Sequence, residues 1–304
     1  MNRIAAIVGP TATGKSALAV ELATALGGEI VSADSRQVYR YMDIGTAKPG
    51  ADDRAKVPHH IIDIINPDED FTLATYQEMA FQAIGDIQRR GKLALLVGGS
   101  GLYVRAITGG LVIPKVAPDP ELRRRLEDRA AHEGYASLYN ELQKVDPQAA
   151  GKIDPRNIRR VIRALEVCIT VGVPFSQLQR SSPELSTLMI GLTTAREDLY
   201  RRIDSRVDDM IERGLVDEVK ALLDRGYSPD LPAMSGLGYK QIVAYIKGET
   251  AIDEAIQRIK FETHRFARSQ YAWFRLKDED IHWFDIRNKP LESIRNFITQ
   301  SSLR

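Results

Sequence analysis

The feature that most constrains this chain is the octapeptide Gly-Pro-Thr-Ala-Thr-Gly-Lys-Ser at residues 9–16. It matches the pattern Gly-x4-Gly-Lys-[Ser/Thr] and lies between an apolar run at 4–8 and a helix-like segment at about 14–26, the context in which this pattern binds phosphates. The glycines allow backbone N–H groups to turn towards phosphate oxygens, and the helix N-terminus adds partial positive charge. Lys15 supplies a point charge, and the Ser16 hydroxyl can bind Mg²⁺. The loop therefore predicts a site for a pyrophosphate or triphosphate, but not specifically for ATP.

Strand-like and helix-like segments alternate after this loop, and this rhythm predicts an α/β fold with a P-loop NTPase-like core and a mostly parallel sheet. From about Pro114 the pattern becomes helical, without a convincing strand. We therefore expect a catalytic core with C-terminal helices at 1–113 and 185–304, interrupted by an all-helical insertion domain at 114–184. The predicted strands are 4–8, 29–33, 60–65, 93–97, 187–192 and 281–286.

Composition narrows the class of protein further. Of the 304 residues 43% are hydrophobic, so the chain can bury a core. The net charge is only +1, so a nucleic-acid site would need its positive charge concentrated in patches. The single cysteine, Cys168, excludes an internal disulfide and is expected to be a small buried apolar residue. With no signal peptide and no stretch long enough to span a bilayer, we expect a soluble, cytoplasmic monomer with no membrane partner.

Polar residues follow the predicted strands at the edge where ligands bind in such folds. Asp34 ends the second strand, where a carboxylate could accept a proton, bind Mg²⁺ through water, or simply cap a helix. Ser100, in the glycine-rich segment 98–103, either places a hydroxyl in the crevice or is a plain N-cap. Asp63 is a second candidate that is as easily structural. His59-His60 lacks further ligands at zinc spacing, so we interpret it as structural or as support for a neighbouring site residue.

Two basic segments stand out in a nearly neutral chain. Residues 151–180 contain six basic and two acidic residues, and residues 258–275 contain five basic and one acidic residue with interleaved aromatics. In the first segment a helix capped by Asp154 is predicted, with arginines on one face and an apolar stripe at Ile158, Ile162, Leu165 and Ile169 on the other. Either segment alone is typical of a solvated helix face, but two together favour contact with RNA phosphates and bases.

Taken together, these motifs resemble one family, the tRNA dimethylallyltransferases (tRNA isopentenyltransferases). The resemblance runs along nearly the whole chain, and Asp-Ser-Arg-Gln-Val-Tyr and Arg-Val-Ile-Arg-Ala-Leu-Glu-Val make it specific. The family usually has Thr at the position of Ser100 and a basic residue at the position of Ser269, so this chain departs from it at two points. The matching segments are 9–16, 34–39, 58–60, 98–103, 119–123, 157–167, 236–241 and 273–275.

The resemblance implies transfer of a dimethylallyl group from dimethylallyl pyrophosphate to N6 of the adenosine 3′-adjacent to the anticodon, position 37 of tRNA. It implies Mg²⁺ as cofactor, bound at Ser16, and the anticodon stem-loop as the part of tRNA recognised. The implied catalytic residues are Asp34 as general base, Ser100 and Arg206. The implied donor-binding residues are Gly9, Pro10, Thr11, Ala12, Thr13, Gly14, Lys15 and Ser16. The implied tRNA-binding residues are Asp34, Ser35, Arg36, Gln37, Ser100, Arg123, Arg159, Arg160, Val161, Ile162, Arg163, Ser235, Gly236, Leu237, Gly238, Tyr239 and Lys240.

Two other functions fit parts of the pattern. An ATP-dependent small-molecule kinase would use the same loop, with 114–184 as a lid and Asp34 as the base on a hydroxyl. A GTPase-type RNA-binding switch would need Asn-Lys-x-Asp to recognise guanine. The Asn-Lys at 288–289 is followed by Pro-Leu and lacks the aspartate, which argues against the switch.

Overall fold

The structure is a computed structural model that describes residues 3–109, 113, 116, 118–178 and 185–302. The chain divides into two compact units, one comprising residues 1–109 and 184–304 and the other residues 110–183. The helices of the described residues are α1 (Lys15–Leu26), α2 (Ala51–Lys56), α3 (Leu73–Arg89), α4 (Gly101–Thr108), α5 (Pro120–Glu133), α6 (Tyr135–Val145), α7 (Pro147–Ala150), α8 (Ile158–Val171), α9 (Phe175–Leu178), α10 (Arg196–Glu212), α11 (Leu215–Asp224), α12 (Tyr239–Ile246), α13 (Ile252–Trp273) and α14 (Leu291–Ser302).

The first unit is built on a parallel sheet. Its strands are β1 (Arg3–Val8), β2 (Glu29–Ser32), β3 (His59–His60), β4 (Ala94–Val97), β5 (Ser186–Thr193) and β6 (Ile281–Asp285). They are ordered β3-β2-β4-β1-β5-β6, and every pairing is parallel. Residues 4–8 of β1 are buried because helices cover both faces of the sheet, which explains their unbroken apolar run. The predicted α/β core with a mostly parallel sheet is confirmed.

The third predicted strand, 60–65, is wrong for most of its length. The strand is only His59–His60, and the chain then turns through left-handed residues, with φ of 64° at Ile61 and 57° at Asp63. The Asp63 carboxylate pairs with Lys48 and Arg54, whose side chains come from another part of the chain. These ion pairs hold the turn, so Asp63 is structural.

A buried carboxylate fixes the start of β2. Glu29 is 1% exposed and pairs with Arg90 and, at 2.8 Å each, with Lys92 and His60. The hydrogen bond from Arg90 lowers the pKa of Glu29 well below its ordinary value, with Lys92 and His60 acting in the same direction and burial opposing them. The expected structural role of the histidine pair holds for His60, which lies in β3 and not before it.

The second unit consists of the helices from α5 to α9. Its core contains Leu138, Leu142, Val161, Ile162 and Leu165 among other apolar residues. The predicted apolar stripe of α8 is only half right, because its outer members are 37% and 50% exposed. The predicted cap is also wrong: α8 begins after Asn157, whose side chain accepts from the Arg160 N–H at 3.3 Å.

Cys168 lies on the buried side of α8, as expected for a small apolar residue. It is 9% exposed, and its Sγ accepts a hydrogen bond from the backbone N–H of Phe175 at 3.3 Å. Burial raises the pKa of the Cys168 thiol, and this hydrogen bond opposes the effect. The thiol is therefore packed and protonated at neutral pH.

No helix within the described ranges has the length and apolar character needed to cross a membrane.

Candidate active site

A cavity of about 480 Å³ lies where the chain leaves the carboxyl ends of β1, β2 and β4. In a parallel sheet these ends share one edge, so residues far apart in sequence meet there. Three predicted residues, Asp34, Ser100 and Arg206, all line this cavity. The other predicted residues on its wall are Thr11, Ser35, Arg36, Ser235, Gly236, Leu237, Gly238 and Tyr239.

The P-loop connects β1 to α1 through left-handed backbone. Gly9 has φ of 134° and Ala12 has φ of 64°. A Cβ at Gly9 would lie 2.4 Å from the carbonyl oxygen of Leu192, so glycine is needed there for close approach as well as for conformation. The Lys15 Nζ donates to the Pro10 carbonyl at 2.6 Å, which folds the lysine over its own loop.

Two arginines of α10 hold the P-loop from outside. The Arg202 Nε donates to the Ala12 carbonyl at 2.8 Å, and the Arg206 guanidinium donates to the Thr11 hydroxyl at 3.4 Å. Both arginines also line a second cavity next to Gly14. Arg206 was expected from the resemblance, whereas nothing in the sequence singled out Arg202.

Positive charge exceeds negative charge around the P-loop, and this favours the binding of an anion. The pKa of Lys15 is lowered to about 7, mainly by removal from water and also by neighbouring Arg206, with Asp34 opposing the effect. Burial also lowers the pKa of Arg206, with Asp34 opposing the effect. A polyanion placed here would stabilise both cations and restore the lysine proton.

Asp34 is the one carboxylate among the described residues that line the cavity. Its Oδ1 accepts the backbone N–H of Arg36 at 2.8 Å, which fixes the side chain at the end of β2. The nearby phenol of Tyr103 is a poor alternative base because burial, together with Tyr39 and Asp34, raises its pKa. Asp34 is thus the candidate general base on this wall.

Ser100 lies at the N-cap position of α4, but its side chain does not cap the helix. Its Oγ instead accepts the backbone N–H of Ser35 at 3.1 Å and donates to the Ser35 hydroxyl at 3.4 Å. The interpretation as a plain N-cap is therefore wrong. The contact ties the segment after β4 to the segment after β2.

A second part of the wall is held by two residues that are distant in sequence. Arg36 donates to the carbonyl of Pro232 at 2.7 Å and to the hydroxyl of Ser235 at 3.3 Å. Glu218 accepts backbone N–H groups of residues 43–45 and the hydroxyl of Tyr239, at 2.6–3.1 Å. Sequence analysis missed Glu218, because a lone glutamate on α11 carries no local signal.

Another part of the cavity wall is apolar. It is formed by one face of α10 and one face of α13, where every third or fourth residue points into the cavity. This part suits a small hydrocarbon group, whereas the part next to the P-loop suits its phosphates. The residues are Ile203, Val207, Met210, Ile259 and Phe266.

Some predicted residues of the first unit lie elsewhere. Ser16, in the first turn of α1, lines a small pocket with Ser32 and Gln37. Gln37 is buried, and its Oε1 accepts the Ser32 hydroxyl at 3.2 Å. Lys240 pairs with Glu262 at 2.5 Å. The cavity therefore contains only part of the predicted set.

The predicted residues of the second unit fall into two groups. Val161 and Ile162 are 1% and 4% exposed in the core, so their side chains do not fit a direct contact with tRNA. Arg123 and Arg163 both pair with Glu166, which is fully buried. Their side chains as a whole remain about one-third exposed.

Arg159 and Arg160 lie on the exposed side of α8. Sequence analysis missed the role of Glu166, whose partner Arg123 comes from another helix.

The fold and the cavity define a class of protein: a P-loop α/β enzyme whose site combines a glycine-rich loop, a carboxylate and an apolar wall. Comparisons with known proteins identify the family. A family profile described as IPP transferase matches residues 37–277, and one described as isopentenyl transferase matches residues 2–63. The chain belongs to this family, the tRNA dimethylallyltransferases.

Individual relatives agree with this assignment. A tRNA dimethylallyltransferase of Thermomicrobium roseum is 52% identical over 93% of this chain and 86% of its own, and one of Dehalococcoides mccartyi is 49% identical over 96% and 91%. A crystal structure of a tRNA isopentenylpyrophosphate transferase from Bacillus halodurans is 43% identical, with a TM-score of 0.72 over 99% of this chain and 96% of that one.

A eukaryotic dimethylallyltransferase, solved acting on tRNA, is 29% identical, with a TM-score of 0.78 over 93% of this chain and 73% of that one. These comparisons support the transferase prediction and not the kinase alternative.

Proposed function

We propose that this protein transfers a dimethylallyl group from dimethylallyl pyrophosphate to N6 of adenosine 37 in tRNA, giving N6-dimethylallyladenosine. The observation that carries the proposal is one cavity whose wall contains a P-loop residue, Arg206, Asp34 and Ser100 together with a cluster of apolar side chains. A phosphorylated hydrocarbon donor matches both the charged and the apolar parts of such a wall.

The P-loop and its arginine bind the donor's pyrophosphate. Backbone N–H groups of residues 12–16 and the side chains of Lys15 and Arg206 surround the leaving oxygen. As the bond from carbon to this oxygen breaks, negative charge develops on the pyrophosphate, and fixed cations stabilise it more than they stabilise the intact donor. The apolar wall holds the hydrocarbon group and excludes water that would otherwise hydrolyse the donor.

Asp34 and Ser100 bind the acceptor. The amine of adenine is a weak nucleophile because its lone pair is delocalised into the ring. N6 attacks the terminal carbon of the dimethylallyl group, the carbon–oxygen bond breaks, and the N6 proton passes to the Asp34 carboxylate. The Ser100 hydroxyl, held by Ser35, is placed to hydrogen-bond to either reactant.

The described residues contain no group of three or more carboxylate, histidine or cysteine side chains that could hold a metal ion. Mg²⁺ is compatible with this, since it is often held by one or two protein oxygens together with phosphate oxygens and water. The Ser16 hydroxyl, which lines a pocket with Ser32 and Gln37, is the protein oxygen proposed to hold it. When bound, the ion neutralises charge on the leaving pyrophosphate.

The anticodon stem-loop of tRNA is the proposed partner. Exposed arginines of the second unit, Arg159 and Arg160 above all, contact its phosphates, with Arg123 and Arg163 beside them. Ser35, Arg36 and the segment 235–240 contact the loop around the flipped adenosine, whose extrusion is cheaper from a loop than from a duplex. The protein acts as a cytoplasmic monomer.

The proposal is tested by incubating the protein with Mg²⁺, labelled dimethylallyl pyrophosphate and unmodified tRNA. We expect label in the RNA at position 37 and none in tRNA that carries guanosine there. A parallel reaction with ATP as the only donor tests the kinase alternative. ATP turnover with a small alcohol, or no label in tRNA, would overturn the proposal.

A further inference from the structure

One buried side chain connects two of the loops that line the cavity. Gln270 lies on α13, is 4% exposed and lines the cavity wall. Its amide oxygen accepts the backbone N–H of Thr11 at 2.8 Å, and its amide nitrogen donates to the carbonyl of Gly99 at 2.9 Å. A single amide thus bridges the P-loop after β1 and the glycine-rich turn after β4.

The fit around this amide is close. A Cβ built on Gly99 would lie 2.3 Å from the Gln270 amide nitrogen, so the glycine leaves the space that the amide fills. Thr11 and Gly99 each offer a backbone group, and one glutamine satisfies both the donor and the acceptor. An amide bonded to the backbone through both its oxygen and its nitrogen is held in one orientation, because breaking either bond leaves a buried polar group unsatisfied.

The bridge continues at both ends to groups with proposed chemical roles. The Thr11 hydroxyl accepts from Arg206, which faces the leaving pyrophosphate. Gly99 is followed by Ser100, whose side chain holds Ser35, the neighbour of Asp34. The contacts therefore form one path from the cation on the donor side to the carboxylate on the acceptor side.

We propose that Gln270 is a positioning residue that sets the distance between the donor's reacting carbon and the adenosine N6. The proposal rests on the proposed function. It makes no catalytic residue of Gln270, because both polar ends of its amide are already bonded to the backbone. Its effect is geometric: reacting atoms must be held about 3–3.5 Å apart, and a misplacement of about 1 Å can slow the reaction about 10²-fold.

The alternative is that Gln270 only holds α13 in place. That helix has other buried anchors, Ala255, Ile259 and Ala267, which pack against the core without the glutamine. A structural role predicts that stability and both substrate affinities fall together. A positioning role predicts that the transfer step slows while both substrates still bind.

The test compares Gln270→Met, which keeps the length of the side chain and removes both hydrogen bonds, with the wild-type protein. We expect the single-turnover rate at saturating donor and tRNA to fall about 10²-fold, with less than about threefold change in the Kd of tRNA or of an unreactive thiolo analogue of the donor. Gln77→Met is the matched control: Gln77 is a half-buried glutamine bonded to the carbonyl of Ala106, away from the cavity, and its rate should be normal.

A second readout is the fate of the donor. If the donor remains bound but the acceptor is misplaced, water takes its place: the carbon–oxygen bond to pyrophosphate breaks, a bond to water oxygen forms, and a proton goes to solvent. The ratio of dimethylallyl alcohol to modified tRNA should therefore rise in Gln270→Met and remain low in Gln77→Met. Gly99→Ala, which displaces the same amide and keeps the glutamine, should raise it too.

Three results would overturn the inference: a transfer rate within about threefold of wild type, a slower rate explained by weaker binding of donor or tRNA, or an unchanged alcohol ratio. If Gln270→Met fails to fold, Gly99→Ala decides by the same criteria. Failure of the proposed function looks different, because the wild-type protein itself would leave tRNA unlabelled.

Discussion

At the scale of single residues, the site separates its charges by position along the sheet edge. The cations lie at the P-loop after β1 and on α10, and the carboxylate follows β2. Asp34 influences Lys15 and Arg206 electrostatically, yet Asp34 has no salt-bridge partner among the described residues. An unpaired carboxylate beside cations can accept a proton without first breaking an ion pair.

Asp34→Asn tests this arrangement. The amide keeps the size of the side chain but cannot accept the proton from N6. We expect kcat to fall by about two to four orders of magnitude, the usual range for a lost general base, with less than about tenfold change in donor or tRNA affinity. Turnover measured across a Mg²⁺ titration provides the control. Rescue by extra Mg²⁺, or near-normal kcat, would mean that Asp34 acts as a metal ligand or not at all.

Lys15 gives the donor site a pH dependence whose sign follows from its pKa. The pKa of Lys15 in the free protein is lowered to about 7, and a bound pyrophosphate raises it again. The thiolo donor analogue therefore binds most tightly below pH 7, where Lys15 is already protonated in the free protein. Above pH 7 binding must take up a proton, so Kd should rise about tenfold per pH unit.

Calorimetry in buffers of different ionisation enthalpy measures this proton uptake directly. Lys15→Arg is the matched control, since its guanidinium stays charged and its Kd should be nearly flat over the same range. A flat wild-type profile between pH 7 and 9 would contradict the prediction.

At the scale of secondary-structure elements, α8 combines two functions on opposite faces. Val161, Ile162 and Leu165 pack in the core of the second unit, while Arg159 and Arg160 are exposed. The buried carboxylate of Glu166 pairs with Arg163 and holds its side chain against the helix. Burial acts to raise the pKa of Glu166, but the hydrogen bonds from Arg123 and Arg163 lower it below the ordinary value. The exposed arginines are therefore the ones best placed to meet phosphates.

Arg159→Ala should weaken tRNA binding and reduce the slope of log Kd against log salt concentration by about one, the amount expected for one lost phosphate contact. Binding of the donor analogue should not change. Arg89→Ala removes another exposed arginine, from α3, and controls for net charge. If both variants show the same salt dependence, the exposed face of α8 is merely solvated.

The elements that sequence predicted well are those specified by local pattern. The P-loop has a fixed spacing, β1 and β4 are apolar runs buried on both faces, and β5 is buried over residues 190–192. The prediction failed at β3 because the turn at Ile61 depends on ion pairs that Lys48 and Arg54 bring from elsewhere.

For the same reason Glu218 and Gln270 could not be assigned roles. Each acts through backbone groups more than a hundred residues away. Such contacts exist only once the sheet has brought the segments together, so no local sequence pattern predicts them.

At the scale of the whole molecule, acid stability depends on Glu29. Its folded-state pKa is depressed below the ordinary value of 4.5, so its contribution is present above pH 4.5 and is lost as the pH falls through the lower folded value. Glu29→Gln removes the buried partner of Arg90 and Lys92 and should lower the stability of the first unit by about 2 kcal/mol at pH 7. The loss is limited to this size because both cations are partly exposed and remain hydrated.

Thermal unfolding monitored at pH 3 to 7 provides the measurement. The Tm of Glu29→Gln should vary less with pH than that of wild type below pH 4.5. Asp86→Asn removes a half-exposed carboxylate that pairs with the same Arg90, and it should behave nearly as wild type. Equal loss of stability in the two variants would show that the buried position of Glu29 has no special importance.

The buried thiol of Cys168 is a natural chemical probe for opening of the smaller unit. It is the only sulfhydryl in the chain and lies inside the smaller unit, so an aromatic disulfide reagent added to the native protein can react only when that unit opens. The labelling rate then measures breathing of the helical unit alone, with no mutation or attached dye. If tRNA stabilises that unit, its addition should slow the reaction, whereas the donor analogue alone should leave the rate unchanged.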